Sequence, residues 1–235
     1  MLESIILNYL IFLLLETVYK KMDYKTTKWE KRQKNLVECG KWDIEQTKMI
    51  EKQFDSGKMD GVRFYYSLAL NYVNIAEYYY VINNKRECLE AINKLIESFE
   101  KCVQLLNSGE PTLESTKKNI LKKIDIGYFG YYALILEIRE CLEKIVSKES
   151  GIFKMLNDIT LEEANSEIEM MQNAIVLRDS ELFNMALLAR IKQIRKFNLE
   201  NYLCVDFMSI ALIKLANEYG MVVDGNYAEV DCQAL

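Results

Sequence analysis

Residues 167–198, EIEMMQNAIVLRDSELFNMALLARIKQIRKFN, decide the fold class of this chain. Apolar side chains fall at Ile168, Met171 and Ile175, and again at Phe183, Ala186, Leu187, Ile191 and Ile194. Steps of three and four put each set on one face of an α-helix. Between the two sets, Arg178, Asp179 and Ser180 interrupt the pattern, and Asp179 or Ser180 can accept hydrogen bonds from the free N–H groups that open a second helix. The stretch therefore reads as a helical hairpin. Beyond the polar joint NLEN (198–201), the run VDFMSIALIKLANEYGMVVD (205–224) repeats the spacing at Phe207, Ile210, Ala211, Lys214, Leu215 and Glu218. Gly220 ends it, since glycine tolerates the left-handed conformation that closes helices.

Working outward, VRFYYSLALNYVNIAEYYYVINN (62–84) is a long tyrosine-rich apolar helix, and KRECLEAINKLIESFEKCVQLLNSG (85–109) is its antiparallel return. A shift of 95 residues lays Asn84 on Asp179, Cys88 on Phe183 and Ala91 on Ala186. Each copy is a helix, a tight polar turn and a second helix with Ala where two backbones approach, the logic of tetratricopeptide-like hairpins. Between the copies, Pro111 and Thr112 begin a helix, and Gly127 and Gly130 mark a kink or a close helix contact in its continuation. Thr160 with Glu163 makes a capping box ahead of the last hairpin. The expected architecture is all-α: antiparallel helical hairpins in a tetratricopeptide-like array, in one domain over 1–235. Its parts are N-terminal helices (1–60), a first hairpin with a long kinked helix (62–150), a C-terminal hairpin with a last helix (160–223) and an acidic tail (224–235).

Composition agrees. The 235 residues are 50% hydrophobic with one proline and nine glycines, enough for one core and too little punctuation for a sheet. Net charge is −5, with 11 Lys/Arg against 10 Asp/Glu in the first 60 residues and 19 against 25 afterwards. An acidic body argues against a duplex nucleic-acid binder, which needs a basic face, and suits a basic partner. Six cysteines (Cys39, Cys88, Cys102, Cys141, Cys204, Cys232) lie far apart with no CxxC pair, and there is no histidine. Neither a disulfide scaffold nor a zinc site is indicated, and the setting is read as reducing and cytoplasmic. Cys88, Cys102 and Cys141 fall in helical apolar patterns as small buried hydrophobes.

The apolar N-terminus, MLESIILNYLIFLLLETVYKK, lacks the cationic start and cleavage site of a secretory signal and is short for a membrane span. A buried first helix is the reading, with a membrane-associated helix as its alternative. Residues 20–34 hold seven Lys/Arg against two acids around Tyr24 and Trp29, a solvated helix face or loop rather than a nucleic-acid contact.

Without histidine, the metal-dependent phosphohydrolases that need His–Asp pairs, the helical di-iron proteins and a serine or cysteine nucleophile with its usual base all fall away. Glu137, Glu140 and Glu143, with Glu162, Glu163, Glu167 and Glu169, form Glu-x-x-Glu sets that could hold Mg²⁺. No later Glu-x-x-Asp pair completes them, and a solvated face is the preferred reading. There is no phosphate loop and no GxSxG. No catalytic, cofactor or metal residue is expected. The other anomaly is fifteen tyrosines. Most belong in the core, but Tyr78, Tyr79 and Tyr80 are consecutive on a helix and cannot all face inward, so at least one is partly exposed, as interface tyrosines are.

The order of the last elements resembles the immunity-49 family of bacterial polymorphic-toxin systems: a helix closing in AIVLRD (174–179), one opening SELFNMAL (180–187), a basic RIKQIRK (190–196), then DFMSIALIKLANEYGMVVD (206–224) and a short acidic tail. The likeness covers roughly the last seventy residues. It implies a cytoplasmic protein that binds a cognate toxin and neutralises it by covering its active surface. On that reading the partner would be met by Glu162, Glu163, Glu167 and Glu169, by Asp224, Glu229 and Asp231 of the tail, and by Tyr78, Tyr79 and Tyr80. A basic toxin, a nuclease for example, would be drawn to the acids. The alternatives are a tetratricopeptide-like adaptor holding peptides in a helical groove, and a metal-dependent enzyme using the glutamate sets.

Overall fold

The computed structural model describes residues 27–137, 152, 166–197, 205–224 and 227. Among these the chain is all-α: α1 (Thr27–Asp55), α2 (Gly61–Val81), α3 (Lys85–Asn107), α4 (Glu114–Asp125), α5 (Tyr128–Ile135), α6 (Glu167–Leu177), α7 (Ser180–Phe197) and α8 (Phe207–Glu218). The apolar N-terminus, the capping box at Thr160 and Glu163, and Cys141 lie outside the described residues. The chain clusters into two compact units, Met1–Asn35 and Leu36–Leu235. The packing below is that of the second.

Two hairpins, α2/α3 and α6/α7, close with the same turn. Asn83 and Arg178, 95 residues apart, both adopt φ 57°. One residue on, the N–H of Asn84 donates to the Tyr79 carbonyl at 2.8 Å, and the N–H of Asp179 to the Ala174 carbonyl at 2.9 Å. These are the capping bonds of a helix that ends in a left-handed residue. The same two side chains then open the next helix: Asn84 Oδ1 accepts from the Glu87 N–H at 3.4 Å, and Asp179 Oδ1 from the Leu182 N–H at 2.9 Å. The internal repeat is thus a repeated turn. Cys88 and Phe183, and Ala91 and Ala186, are buried at matching places just beyond it. Arg178 has no glycine's freedom at positive φ; its guanidinium lies 3.6 Å from the centre of the Tyr219 ring.

Between the hairpins the expected kink is a break. Gly127 adopts φ 66°, separating α4 from the short α5. α4 begins at Glu114 rather than at Pro111 and Thr112, because Leu113 is extended (φ −65°, ψ 136°) and no side chain caps it. The Thr112 hydroxyl is buried without a partner. α5 is the hub: every residue from Phe129 to Ile135 is buried, and it touches α3, α4 and α8. Phe99 of α3 stacks on Phe129 with ring centres 3.7 Å apart, and Phe207 of α8 packs on Tyr132 and Tyr80. Gln172 Nε2 of α6 donates to Tyr131 Oη at 2.9 Å. Lys214 of α8 donates to the terminal carbonyl of α5, Ile135 O, at 2.7 Å, a cation at the negative end of a helix.

α8 is fastened at its start. Asp206 caps it, accepting from Ser209 Oγ at 2.7 Å and from Arg190 Nε of α7 at 2.8 Å. A carboxylate only 6% exposed is thereby compensated by charge and hydrogen bonds together. After Gly220 the chain runs along the start of α7. Asn184 holds its backbone from both sides, donating to Val222 O at 3.1 Å and accepting from the Asp224 N–H at 2.9 Å, while Ser180 Oγ accepts from the Val222 N–H at 3.1 Å.

α1 lies close on α2. A Cβ on Gly40 would overlap Cβ and Cγ of Tyr78, which is 9% exposed. Gly40→Ala sets a gain of about 1 kcal/mol in helix propensity against overpacking of about 1–3 kcal/mol or more. The obstructing atoms are the root of a buried ring and cannot swing aside. A net loss of about 1–2 kcal/mol in urea unfolding is expected.

Candidate functional site

Tyr78, Tyr79 and Tyr80 separate as helical geometry requires. Tyr78 packs on α1, Tyr80 packs into the core on Phe207, and Tyr79 is left half-open. Tyr79 lines a groove of about 300 Å³ across α1, α2 and α3. Ile44, Thr47, Lys48 and Glu51 come from α1, Tyr72, Ile75 and Tyr79 from α2, and Glu87, Glu90, Ala91 and Lys94 from α3. Each set steps by three and four, so three helix faces converge. Ile44, Ile75 and Ala91 make an apolar floor, two tyrosines stand in it, and three carboxylates face two ammonium groups on the rim. Lys94 pairs with Glu90 at 2.9 Å and holds that carboxyl below its ordinary range. Burial pushes both Tyr72 and Tyr79 upward, so each phenol stays protonated and keeps its O–H donor. The groove can take an apolar or aromatic side chain on its floor and basic groups at its rim.

A second cleft, of about 430 Å³, opens on the other side of α2. Trp42 and Asp43 of α1, Asn71 and Asn74 of α2, and Tyr128 of α5 are among its walls. Asn71 Nδ2 donates to Asp43 O and to Thr47 Oγ1, both at 2.9 Å, pinning α1 to α2. The Asp43 carboxyl is 8% exposed and meets Asn74 Nδ2 at 3.5 Å. Its pKa is raised, by burial first, with the Asn74 contact acting against it. One helical turn along, the Glu77 carboxyl is also 8% exposed and is pushed up to about 8, chiefly by burial and then by the charges of Asp43 and Asp206.

The other expected contact residues are scattered. Glu167 accepts from Gln193 Nε2 of α7 at 2.7 Å. With Glu169 it occupies the first turn of α6, which Ser166 caps, so both complement the helix dipole. Asp224 sits at the pinned end of the segment after α8. Glu162, Glu163, Glu229 and Asp231 lie outside the described residues, as does Glu140; Glu137 is exposed beside Lys214. No group of three His, Cys, Asp or Glu among the described residues could hold a metal ion. Cys88 and Cys102 are fully buried, their thiols pushed up to about 12, and Cys39 is exposed. No described helix is long and apolar enough to cross a membrane.

Sequence reasoning required at least one of Tyr78, Tyr79 and Tyr80 to be partly exposed without saying which, and it missed the rest of the groove and the Asp43–Glu77 pair. Neither acid sits in a pattern that marks it as buried; Glu77 stands alone among tyrosines. Comparison with family models, with curated proteins and with solved structures gives no match for this chain.

Proposed function

We propose that this is a cytoplasmic immunity protein of the immunity-49 kind, which binds a cognate bacterial toxin and neutralises it by covering its active surface. The carrying observation is the groove across α1, α2 and α3, where half-open Tyr79 and Tyr72 stand over an apolar floor inside a rim holding Glu51, Glu87 and Glu90. Interface anchors are of this type: a partly exposed aromatic whose hydroxyl stays wet, ringed by charge that steers encounter. The order of the last three helices supports the family, and the acidic body supports a basic partner.

Co-expression with the toxin domain encoded beside its gene tests this reading. Rescued growth and a stoichiometric complex are expected, and failure of both with an active toxin would overturn it. Tyr79→Ala should weaken the complex by about 1–2 kcal/mol, a 5–30-fold rise in Kd, with little change in thermal unfolding. The same groove suits a tetratricopeptide-like adaptor, for which many weak peptides rather than one tight globular partner would be recovered.

A further inference from the structure

We propose that the cleft between α1, α2 and α5 is a binding site for an organic monocation, an alkylguanidinium or alkylammonium group seated against Asp43 and the ring of Trp42. Three independent features converge there. The cleft holds about 430 Å³, within the range of small-ligand sites. The Asp43 carboxyl lines it while 8% exposed, and among the described lining residues there is no Lys or Arg. Among the described residues, its side-chain hydrogen bond is the 3.5 Å approach of Asn74, a long one. Trp42, 59% exposed although large and apolar, lines the same cleft.

A buried carboxylate without a base is short of compensating charge, and a raised Asp43 reports that shortage. Glu77, whose charge couples to Asp43, is not among the cleft's walls and is pushed up to about 8, so it adds little charge at neutral pH. An indole face attracts a cation through its quadrupole. Tyr128 on the far wall already carries Lys123 Nζ at 3.5 Å from its ring centre, so the free aromatic face is that of Trp42. A planar guanidinium can hydrogen-bond a carboxylate and stack on a ring at once, which favours it over ammonium. The site does not depend on the toxin reading.

The probes are N-butylguanidinium and its neutral isostere N-butylurea, followed by calorimetry and by the indole N–H resonance of Trp42. Butylguanidinium should saturate at about 1–10 mM, shift the Trp42 resonance, and weaken as sodium chloride is raised. Butylurea should give no saturable response. Trp42→Ala should weaken binding about 2–5-fold, and Asp43→Asn at least about tenfold. Because Trp42 is exposed, its variant keeps the test decisive if Asp43→Asn fails to fold. Absence of saturation at about 50 mM, five times the weakest affinity expected of so small a ligand, would overturn the proposal. So would an equal response to butylurea, or wild-type affinity in Trp42→Ala.

Discussion

Phe99→Ala is expected to lower the free energy of unfolding by about 3–5 kcal/mol, the largest effect of a single core substitution here. Phe99 is fully buried, and its ring lies nearly parallel to that of Phe129 with centres 3.7 Å apart. Truncation removes the transfer free energy of a whole ring and leaves a cavity, because its neighbours are anchored. Phe129 is held within α5, whose other rings touch Phe207 and whose Tyr131 is bonded to Gln172. The cavity therefore cannot collapse, and the cost should sit at the upper end of the range for such truncations. Phe99→Leu, which keeps most of the volume, should cost about 1–2 kcal/mol. Urea unfolding of both variants would check this; equal losses would mean that the stack itself, rather than the volume, is what α5 needs.

Glu77→Gln is expected to flatten the pH dependence of stability between about pH 5 and pH 8 and to make the protein more stable than wild type at the alkaline end. The folded carboxyl titrates near 8 against an ordinary value of 4.5. Below the ordinary value both states hold the proton and nothing is lost. As pH rises, the unfolded chain releases it first, so folding requires taking up a proton and stability falls, at up to about 1.4 kcal/mol per pH unit. The fall ends once the folded group ionises as well. Across the window the wild type should lose about 3–5 kcal/mol, while the variant, already neutral, should not. Near pH 5 the two should be similar. Asp43, whose pKa is also raised, contributes a slope of the same sign in both proteins. Parallel profiles across pH 5–8 would show that Glu77 is charged in the folded protein at neutral pH.

The parts of this fold that were legible are those written in local letters. The two turns share a polar residue after a left-handed one, so Asn84 and Asp179 could be paired from sequence before their backbone angles were seen to agree. Three adjacent tyrosines guaranteed one outward-facing ring, and Tyr79 is that ring. α5 was illegible for the opposite reason. YFGYYALI is buried all round and carries no helical periodicity, so nothing in it distinguishes a hub from the tail of a longer helix. Asp206 drew no reading from the sequence, because its partner Arg190 on α7 meets it only when α7 and α8 pack together. The Asp43–Glu77 pair needs α1 laid on α2, and the glycine that permits this contact, Gly40, has no turn signal around it.

The bond from Lys214 to the end of α5 joins residues 79 positions apart, and this sets an order of events on the ribosome. The α2/α3 hairpin is closed by neighbours in sequence and can form as soon as it emerges, since local contacts are the fast ones. α5 follows, buried all round in the finished fold, and the helix that covers it and seals its carbonyl end is α8, Phe207–Glu218. Until α8 has emerged, that end of α5 is without its cover. A chain stopped short of α8 would leave Tyr132 and the end of α5 without the cover of Phe207 and Lys214, the kind of surface that chaperones hold and proteases clear.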